Sequence, residues 1–188
     1  MSLISYSKIL KYCASISSEF HDLYHQGLQY ICASSAILLV SSSFDKAEAL
    51  SNECGKYWQA TLVSQQSIDR RILKNIEKES SNIREEIYKL LDEANNSDRI
   101  VVAGILVAFE DMIDSLNQYI ELIKEISTCF YYDESADKTY FDESKIYTLS
   151  RNGMELDRVI VRILRSSLLI ISKISTILED SYQHLEVV

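Results

Sequence analysis

The fold is decided by residues 45–94, which read DKAEALSNECGKYWQATLVSQQSIDRRILKNIEKESSNIREEIYKLLDEA. Apolar residues recur there mostly at helical spacing: Leu50, Cys54, Trp58, Leu62, Ile68, Ile72, Ile76, Ile83, Ile87, Leu90 and Ala94. Such spacing puts them on one face of an α-helix. At 1.5 Å per residue, one uninterrupted helix would extend roughly 75 Å. The pattern predicts either this rod or two helices with a break near Ser80-Ser81.

The spacing within this stretch also indicates how it packs. Ile72, Ile83 and Ala94 are separated by eleven residues, as are Ile76 and Ile87. A repeat of eleven keeps a nearly straight or slightly right-handed stripe, whereas a two-stranded coiled coil needs a repeat of seven. We therefore expect the partner helices to form a bundle.

The composition favours long helices joined by few turns. The chain has no proline and only four glycines, so the residues that break helices and build tight turns are scarce. A β-sandwich of this length would need a turn about every 8–12 residues, and we exclude β folds on that ground. The clearest turn signal is Asn95–Asp98, where a Ser or Asp can cap the following helix.

Three further segments carry helical periodicity. Residues 4–40 form one helix or two, and residues 98–130 and 154–182 form one helix each. Residues 142–153 either form a short helix or run into the last one, and we expect a break at Gly153. The sequence thus predicts an all-α protein, a four- or five-helix bundle of long antiparallel amphipathic helices in a single domain over residues 1–188.

Two stretches of the second half depart from simple amphipathicity. Residues 100–109 are apolar on nearly all sides, so we expect them at the centre of the bundle. Residues 131–141 mix acidic and aromatic residues without an apolar period, which predicts a loop of the kind that can hold a binding site. Its aromatic side chains are the predicted partner-binding residues: Tyr131, Tyr132, Tyr140 and Phe141.

Charge and apolar run lengths exclude some partners. The formal net charge of -9 argues against nucleic acid, because binding to phosphates relies on Lys and Arg. The longest apolar stretches, residues 30–40 and 100–109, fall short of the ~20 residues that span a bilayer. The N-terminus does not resemble a signal peptide, so we expect a cytoplasmic protein, with delivery by a non-classical route left open.

The cysteines and histidines offer little coordination chemistry. Four scattered cysteines lack zinc-site spacing and are expected to be reduced core thiols: Cys13, Cys32, Cys54 and Cys129. His21 and His25 lie four residues apart on one helical face with Asp22 between them, a spacing that could hold a metal. The only other histidine, His184, lies near the C-terminus, so a third ligand would have to be Glu19 or a distant carboxylate, and we expect an incidental surface pair and no cofactor.

A second candidate metal site lies among acidic residues on two helices. Glu85-Glu86-Ile87-Tyr88-Lys89-Leu90, followed by Asp111-Met112-Ile113-Asp114, resembles the acidic pattern of the all-α nucleoside-triphosphate pyrophosphatases of the MazG-like family. The resemblance implies that Glu86, Asp111 and Asp114 hold Mg²⁺. Lys89 stands where that family has another Glu, and Asp111 replaces a Glu, so the pattern is incomplete.

We therefore expect a non-enzymatic protein–protein interaction module that binds a protein partner or associates with itself. An adaptor, an inhibitor, an immunity-type or effector-type binder and a self-associating structural protein all satisfy this description. Two alternatives stay open. One is the magnesium-dependent pyrophosphatase, and the other is a membrane-active protein whose apolar segments, residues 30–40 or 100–109, emerge after a conformational change.

Overall fold

The protein is an all-α helical bundle in a computed structural model that describes residues 3–25 and 70–183. The described helices are α1 (Leu3–Leu23), α2 (Ser80–Glu93), α3 (Asn96–Ser127) and α4 (Ile146–Gln183). Strands β1 (Phe130–Asp133) and β2 (Lys138–Phe141) and a 3₁₀ turn at Glu143–Lys145 lie between α3 and α4. The predictions for residues 26–69, which include the first half of the rod, lie outside the described residues.

The chain divides into two compact units. The described part of the first unit comprises residues 3–20, 73–115 and 162–183, and that of the second comprises residues 21–25, 70–72 and 116–161. Each has buried side chains of its own, for example Ile9 and Phe109 in the first and Tyr119 and Ile160 in the second. The single domain predicted for the whole chain stays a prediction.

The described half of the predicted rod is helical from residue 70 to Glu93. No break occurs at Ser80-Ser81; instead a π-helical turn at Asn75–Glu79 leads directly into α2. On the predicted stripe, Ile83, Ile87 and Leu90 are buried, because they face the core of the first unit. The helical period therefore identified both the helix and its buried face.

The turn between α2 and α3 lies where the sequence placed it. Ala94 is extended, with ψ of 141°, and the side chain of Asn95 then accepts hydrogen bonds from the backbone N–H groups of Ser97 and Asp98, both at 3.1 Å. Asn95, rather than the expected Ser or Asp, is thus the cap of α3. Its amide oxygen satisfies donors that the first helical turn would otherwise leave unpaired.

Neighbouring helices of the first unit run antiparallel, as predicted. Between α1 and α2, Ser5 donates a hydrogen bond to Glu86 at 2.6 Å, and Tyr12 and Ser80 share one at 2.7 Å. Between α3 and α4, Lys173 lies over Gly104, and Ser166 donates a hydrogen bond to Asp111 at 2.7 Å. In both pairs, residue numbers rise along one helix as they fall along the other.

The expectation that residues 100–109 are central is wrong for one side of α3. Val102, Ile105 and Phe109 are buried, but Ile100 is 76% exposed and Val107 is 70% exposed. A helix packed on one side buries only part of its circumference, whatever the side chains on the rest. Within the described residues, no helix has both the length and the apolarity needed to cross a membrane.

The expected break at Gly153 does not occur, because α4 is continuous over 38 residues. Tertiary packing holds the helix there: Leu149 and Leu156 are buried on either side of the glycine. The adjacent Asn152 is also buried, and its amide donates a hydrogen bond to Glu125 at 2.6 Å. These contacts outweigh the cost of one helical glycine, about 1 kcal/mol relative to alanine.

The predicted loop at residues 131–141 is instead a β-hairpin. Phe130 pairs with Phe141, and Tyr131 pairs with Tyr140, in an antiparallel ladder. The turn needs neither Gly nor Pro, because the Asp133 carboxylate accepts hydrogen bonds from the backbone N–H of Ser135 and Ala136. Asp137 adopts the left-handed conformation with φ of 49°, which Asp tolerates better than most residues.

Replacing Gly104 with alanine should stabilise the protein by about 0.5–1 kcal/mol, because α3 would gain helix propensity. An added Cβ would meet the Lys173 Nζ at 3.1 Å, and a flexible side chain can move aside. Urea unfolding at a fixed protein concentration would measure the change. A destabilised variant would show that Lys173 cannot relax.

Candidate functional site

The candidate site is an exposed face of the first unit beside the seam between α3 and α4. We call it the α3–α4 face and define it by seven residues: Ile100, Val107, Asp111 and Asp114 on α3, and Arg162, Arg165 and Leu169 on α4. Its apolar members are conspicuously open to solvent, since Ile100, Val107 and Leu169 are 76%, 70% and 46% exposed. None of the seven was predicted from sequence as a partner-binding residue.

Helical spacing brings these residues to one side. Ile100, Val107 and Asp114 are separated by steps of seven residues, which is close to two helical turns. Val107 lies three residues after Gly104 and four before Asp111, both of which contact α4. Neighbours three and four apart share a helix face, so Val107 borders the seam.

The same spacing places the α4 residues of the face at the seam. Leu169 lies three residues after Ser166 and four before Lys173, the two α4 residues that contact α3. Arg165 precedes Leu169 by four residues and Arg162 precedes it by seven, so all three lie on one side of α4. The apolar side chains of the two helices therefore border one seam.

The charges on the α3–α4 face are separated by helix. Asp111 and Asp114 lie on α3, and Arg162 and Arg165 lie on α4, and all four are exposed. Among the described residues, neither Asp114 nor Arg165 has a hydrogen bond or an ion pair. Asp114 on α3 thus offers an unneutralised acidic charge, and Arg165 on α4 an unneutralised basic charge, to an incoming surface.

Of the predicted partner-binding residues, the structure describes the side chain of Tyr131, which is 57% exposed. Tyr132, Tyr140 and Phe141 belong to the hairpin by their backbone pairing. Tyr147, in the first turn of α4, is 84% exposed and was not predicted. An isolated tyrosine at a helix start carries no periodic signal, so the sequence could not single it out.

A polar cleft of about 540 Å³ lies between α1 and α2 in the first unit. Both charge signs line it, with Lys8 and Lys11 from α1 facing Glu85 and Glu86 from α2. Lys8 lies 3.4 Å from the Glu86 carboxylate, and Lys89 on α2 lies 3.6 Å from it. Part of the charge in the cleft is therefore neutralised within the protein.

The surroundings of Glu86, one of the predicted metal ligands, favour its ionised form. The hydrogen bond from Ser5 is the main cause that lowers the pKa of the Glu86 carboxyl, and the charges of Lys8 and Lys89 add to it. The side chain is about one-fifth exposed, so it accepts these partners at the edge of the cleft. The Glu86 carboxylate is therefore ionised near neutral pH, and it is already bound by Ser5 and Lys8.

The three predicted Mg²⁺ ligands are not assembled around one point. Glu86 is bound from α1 by Ser5, whereas Asp111 is bound from α4 by Ser166. Asp114 lies exposed on α3. Within residues 3–25 and 70–183, no group of three His, Cys, Asp or Glu side chains is placed to hold a metal. The geometry therefore gives the pyrophosphatase alternative no support.

The two predicted histidine ligands do lie together, in the second unit. The rings of His21 and His25 have centroids 4.5 Å apart with an edge-on angle of 67°, and Tyr24 packs on His25 at 5.9 Å. Both histidines are exposed. The pair forms an aromatic contact at the end of α1, and no third ligand joins it among the described residues.

Two buried groups of α1 are held in their neutral forms. Burial raises the pKa of Tyr12 to about 12, partly offset by its hydrogen bond with Ser80. Burial also raises the pKa of the Cys13 thiol to about 12. Cys13 and Cys129 are free and buried, which confirms the expected core thiols at these two positions.

The comparisons with known proteins gave no relatives. No protein-family model matches the chain, and no match was found among curated proteins or solved structures.

Proposed function

We propose that this protein is a non-enzymatic interaction module that binds a protein partner through the α3–α4 face. The observation that carries the proposal is the exposure of Ile100, Val107 and Leu169 along one seam. Single exposed apolar residues are common on soluble proteins, but a row of them rimmed by charges is typical of protein-binding surfaces.

The chemistry of the face supports the proposal. An interface gains affinity from apolar side chains at its centre, while charges at its rim select the partner and speed association. Here Val107 and Leu169 lie between seam contacts, and Asp114 and Arg165 have no ionic partner among the described residues. A complementary protein surface would cover Val107 and Leu169 and neutralise the charges of Asp114 and Arg165.

The remaining clusters support binding rather than catalysis. At the α1–α2 cleft, the Glu86 carboxylate accepts a hydrogen bond from Ser5 and lies 3.4 Å from Lys8. The low pKa of Glu86 makes it a poor proton donor near neutral pH. The free thiols Cys13 and Cys129 also agree with the cytoplasmic location that the sequence predicts.

A direct test compares capture of host proteins by the wild type and by Val107→Lys. The substitution places a charge at the centre of the α3–α4 face, and the position is exposed enough to tolerate it. We expect a specific protein, or the chain itself, to bind the wild type and to be lost from the variant. Ile4→Lys is the matched control, because Ile4 is 69% exposed on α1 and lies outside the face.

A partner retained equally by the wild type, Val107→Lys and Ile4→Lys would contradict the α3–α4 face as the binding site. Thermal unfolding of all three proteins would show that each is folded at the assay temperature. Binding lost only from Val107→Lys would support the proposal.

A further inference from the structure

We infer that the partner of the α3–α4 face is a second copy of this chain, joined by a twofold axis that runs along the seam between α3 and α4. This inference rests on the proposed interaction function and names its partner. In the resulting dimer, α3 of each copy lies over α4 of the other. The face is then isologous, as twofold interfaces are.

The contacts between α3 and α4 show which residues of the two helices lie at the same height along the seam, and we call this height their level. Asp111 follows Gly104 by seven residues, and its contact Ser166 precedes Lys173, the contact of Gly104, by seven. Equal steps in opposite directions mean that α3 and α4 run antiparallel without a shift between these contacts. Residues elsewhere on the face can therefore be matched by level along the seam.

The apolar residues match at the centre of the face. Val107 lies three residues beyond Gly104 on α3, and Leu169 lies four residues before Lys173 on α4, so the two are at nearly the same level. A rotation of 180° about the seam keeps levels unchanged and exchanges the helices. It therefore places Val107 of each copy over Leu169 of the other and removes both from water.

The acidic residues of α3 and the basic residues of α4 also lie at matching levels along the seam. Arg165 and Arg162 lie one and four residues before Ser166, so they occupy the levels of Asp111 and Asp114. The twofold rotation places the acidic residues of α3 over the basic residues of α4 in the other copy. The arrangement pairs opposite charges twice, once in each symmetry-related half.

This charge pattern favours a second copy over an unrelated acidic or basic partner. A strongly basic surface would be attracted by Asp114 but repelled by Arg165, and an acidic surface would meet the reverse. A second copy presents both signs in the complementary arrangement. Asp114 and Arg165 lack ionic partners among the described residues, so dimerisation would give each one.

The test measures the mass in solution of the full chain over a range of concentrations by light scattering and sedimentation equilibrium. We expect a dimer of about twice the 21.6 kDa chain mass. Val107→Lys should raise the dimer Kd by about 30-fold or more, because it sets a charged lysine against the apolar Leu169 of the other copy. Asp114→Lys and Arg162→Glu, which each reverse one member of a level-matched pair, should each weaken the dimer about tenfold.

The double variant Asp114→Lys with Arg162→Glu reverses both members of one level-matched pair and should restore dimerisation. Asp92→Lys is the matched charge control, since Asp92 is exposed on α2 outside the face. Restoration by the double variant would identify the paired residues, which loss of stability alone could not mimic. Circular dichroism would show that each variant is folded.

Other outcomes overturn the inference in distinguishable ways. A dimer unaffected by Val107→Lys, or a double variant that stays monomeric, would show that the chain associates in another way. A monomeric wild type that still captures a different protein, with capture lost in Val107→Lys, would overturn self-association and leave the proposed function standing. A monomer whose capture is unaffected by Val107→Lys would overturn both.

Discussion

Replacing Phe109 with alanine should lower the free energy of unfolding by about 3–5 kcal/mol. Phe109 is fully buried on α3 and packs against Tyr12 of α1, with ring centroids 5.9 Å apart at an angle of 54°. The substitution removes this contact and leaves a cavity in the core of the first unit. Urea unfolding followed by circular dichroism would measure the loss.

Tyr88→Ala provides the comparison for Phe109→Ala. Tyr88 lies half-exposed on α2, so its truncation removes a similar aromatic ring without opening a core cavity. We expect its cost to stay below about 1 kcal/mol. Both variants should be compared at one protein concentration, because a dimer's stability depends on it. Equal losses in the two variants would contradict the packing described for Phe109.

Replacing Tyr12 with phenylalanine should produce a stability difference that depends on pH. At neutral pH the variant loses the hydrogen bond with Ser80, which should cost about 1 kcal/mol. Ser80 keeps its hydrogen bond to the Asn75 carbonyl, so its hydroxyl is not left without a partner. The alkaline range should behave differently, because only the wild type carries the buried phenol.

The folded pKa of Tyr12 is raised from 10.0 to about 12, so the folded state holds this proton more tightly than the unfolded state does. The corresponding stability is fully present below pH 10 and is lost as the pH rises towards 12. The loss amounts to about 1–2 kcal/mol for each pH unit in this window. Stability of the wild type should therefore fall towards, and then below, that of Tyr12→Phe.

The measurement is urea unfolding of both proteins from neutral pH to about pH 11. Other titrating groups are common to the two chains, so their contributions cancel in the difference. Ser80→Ala is the control: it removes the same hydrogen bond but keeps the buried phenol, and it should retain the alkaline loss. A wild-type-to-phenylalanine difference that is constant above pH 10 would mean that Tyr12 is accessible to water.

Sequence reasoning predicted the helices well where a local pattern dominated. The apolar period identified α2 and its buried residues Ile83 and Ile87, and the polar cluster at Asn95 identified the turn before α3. Both signals lie within a few residues along the chain. They reflect the intrinsic conformational preference of each segment, which does not depend on packing against another helix.

Sequence reasoning failed where distant residues outweighed local preference. Gly153 was expected to end a helix, but Asn152 beside it is buried and bonded to Glu125 on α3. The hairpin was missed for a different, local reason: a turn built from Asp133 and Ser135 lacks the usual Gly or Pro. Its strands β1 and β2 pair through their backbones, and backbone pairing leaves no apolar period in the sequence.

The candidate site was the least predictable part of the protein. Of the predicted metal ligands, the structure joins Asp111 and Glu86 to hydroxyl donors on different helices. Of the predicted partner-binding aromatic residues, it describes the side chain of Tyr131 alone, and that side chain is exposed. The α3–α4 face has no sequence motif, since it depends on which side of an apolar helix stays unpacked.

The sequence by itself determined that the chain forms long amphipathic helices, because helical period, scarce glycine and absent proline act locally. Only the tertiary structure decided which side of each helix is exposed. Ile100 and Phe109 are equally apolar in sequence, yet one lies in water and the other in the core. The reason is physical: burial depends on the partner helix, and the pairing of α3 with α4 through Gly104 and Asp111 is a long-range contact.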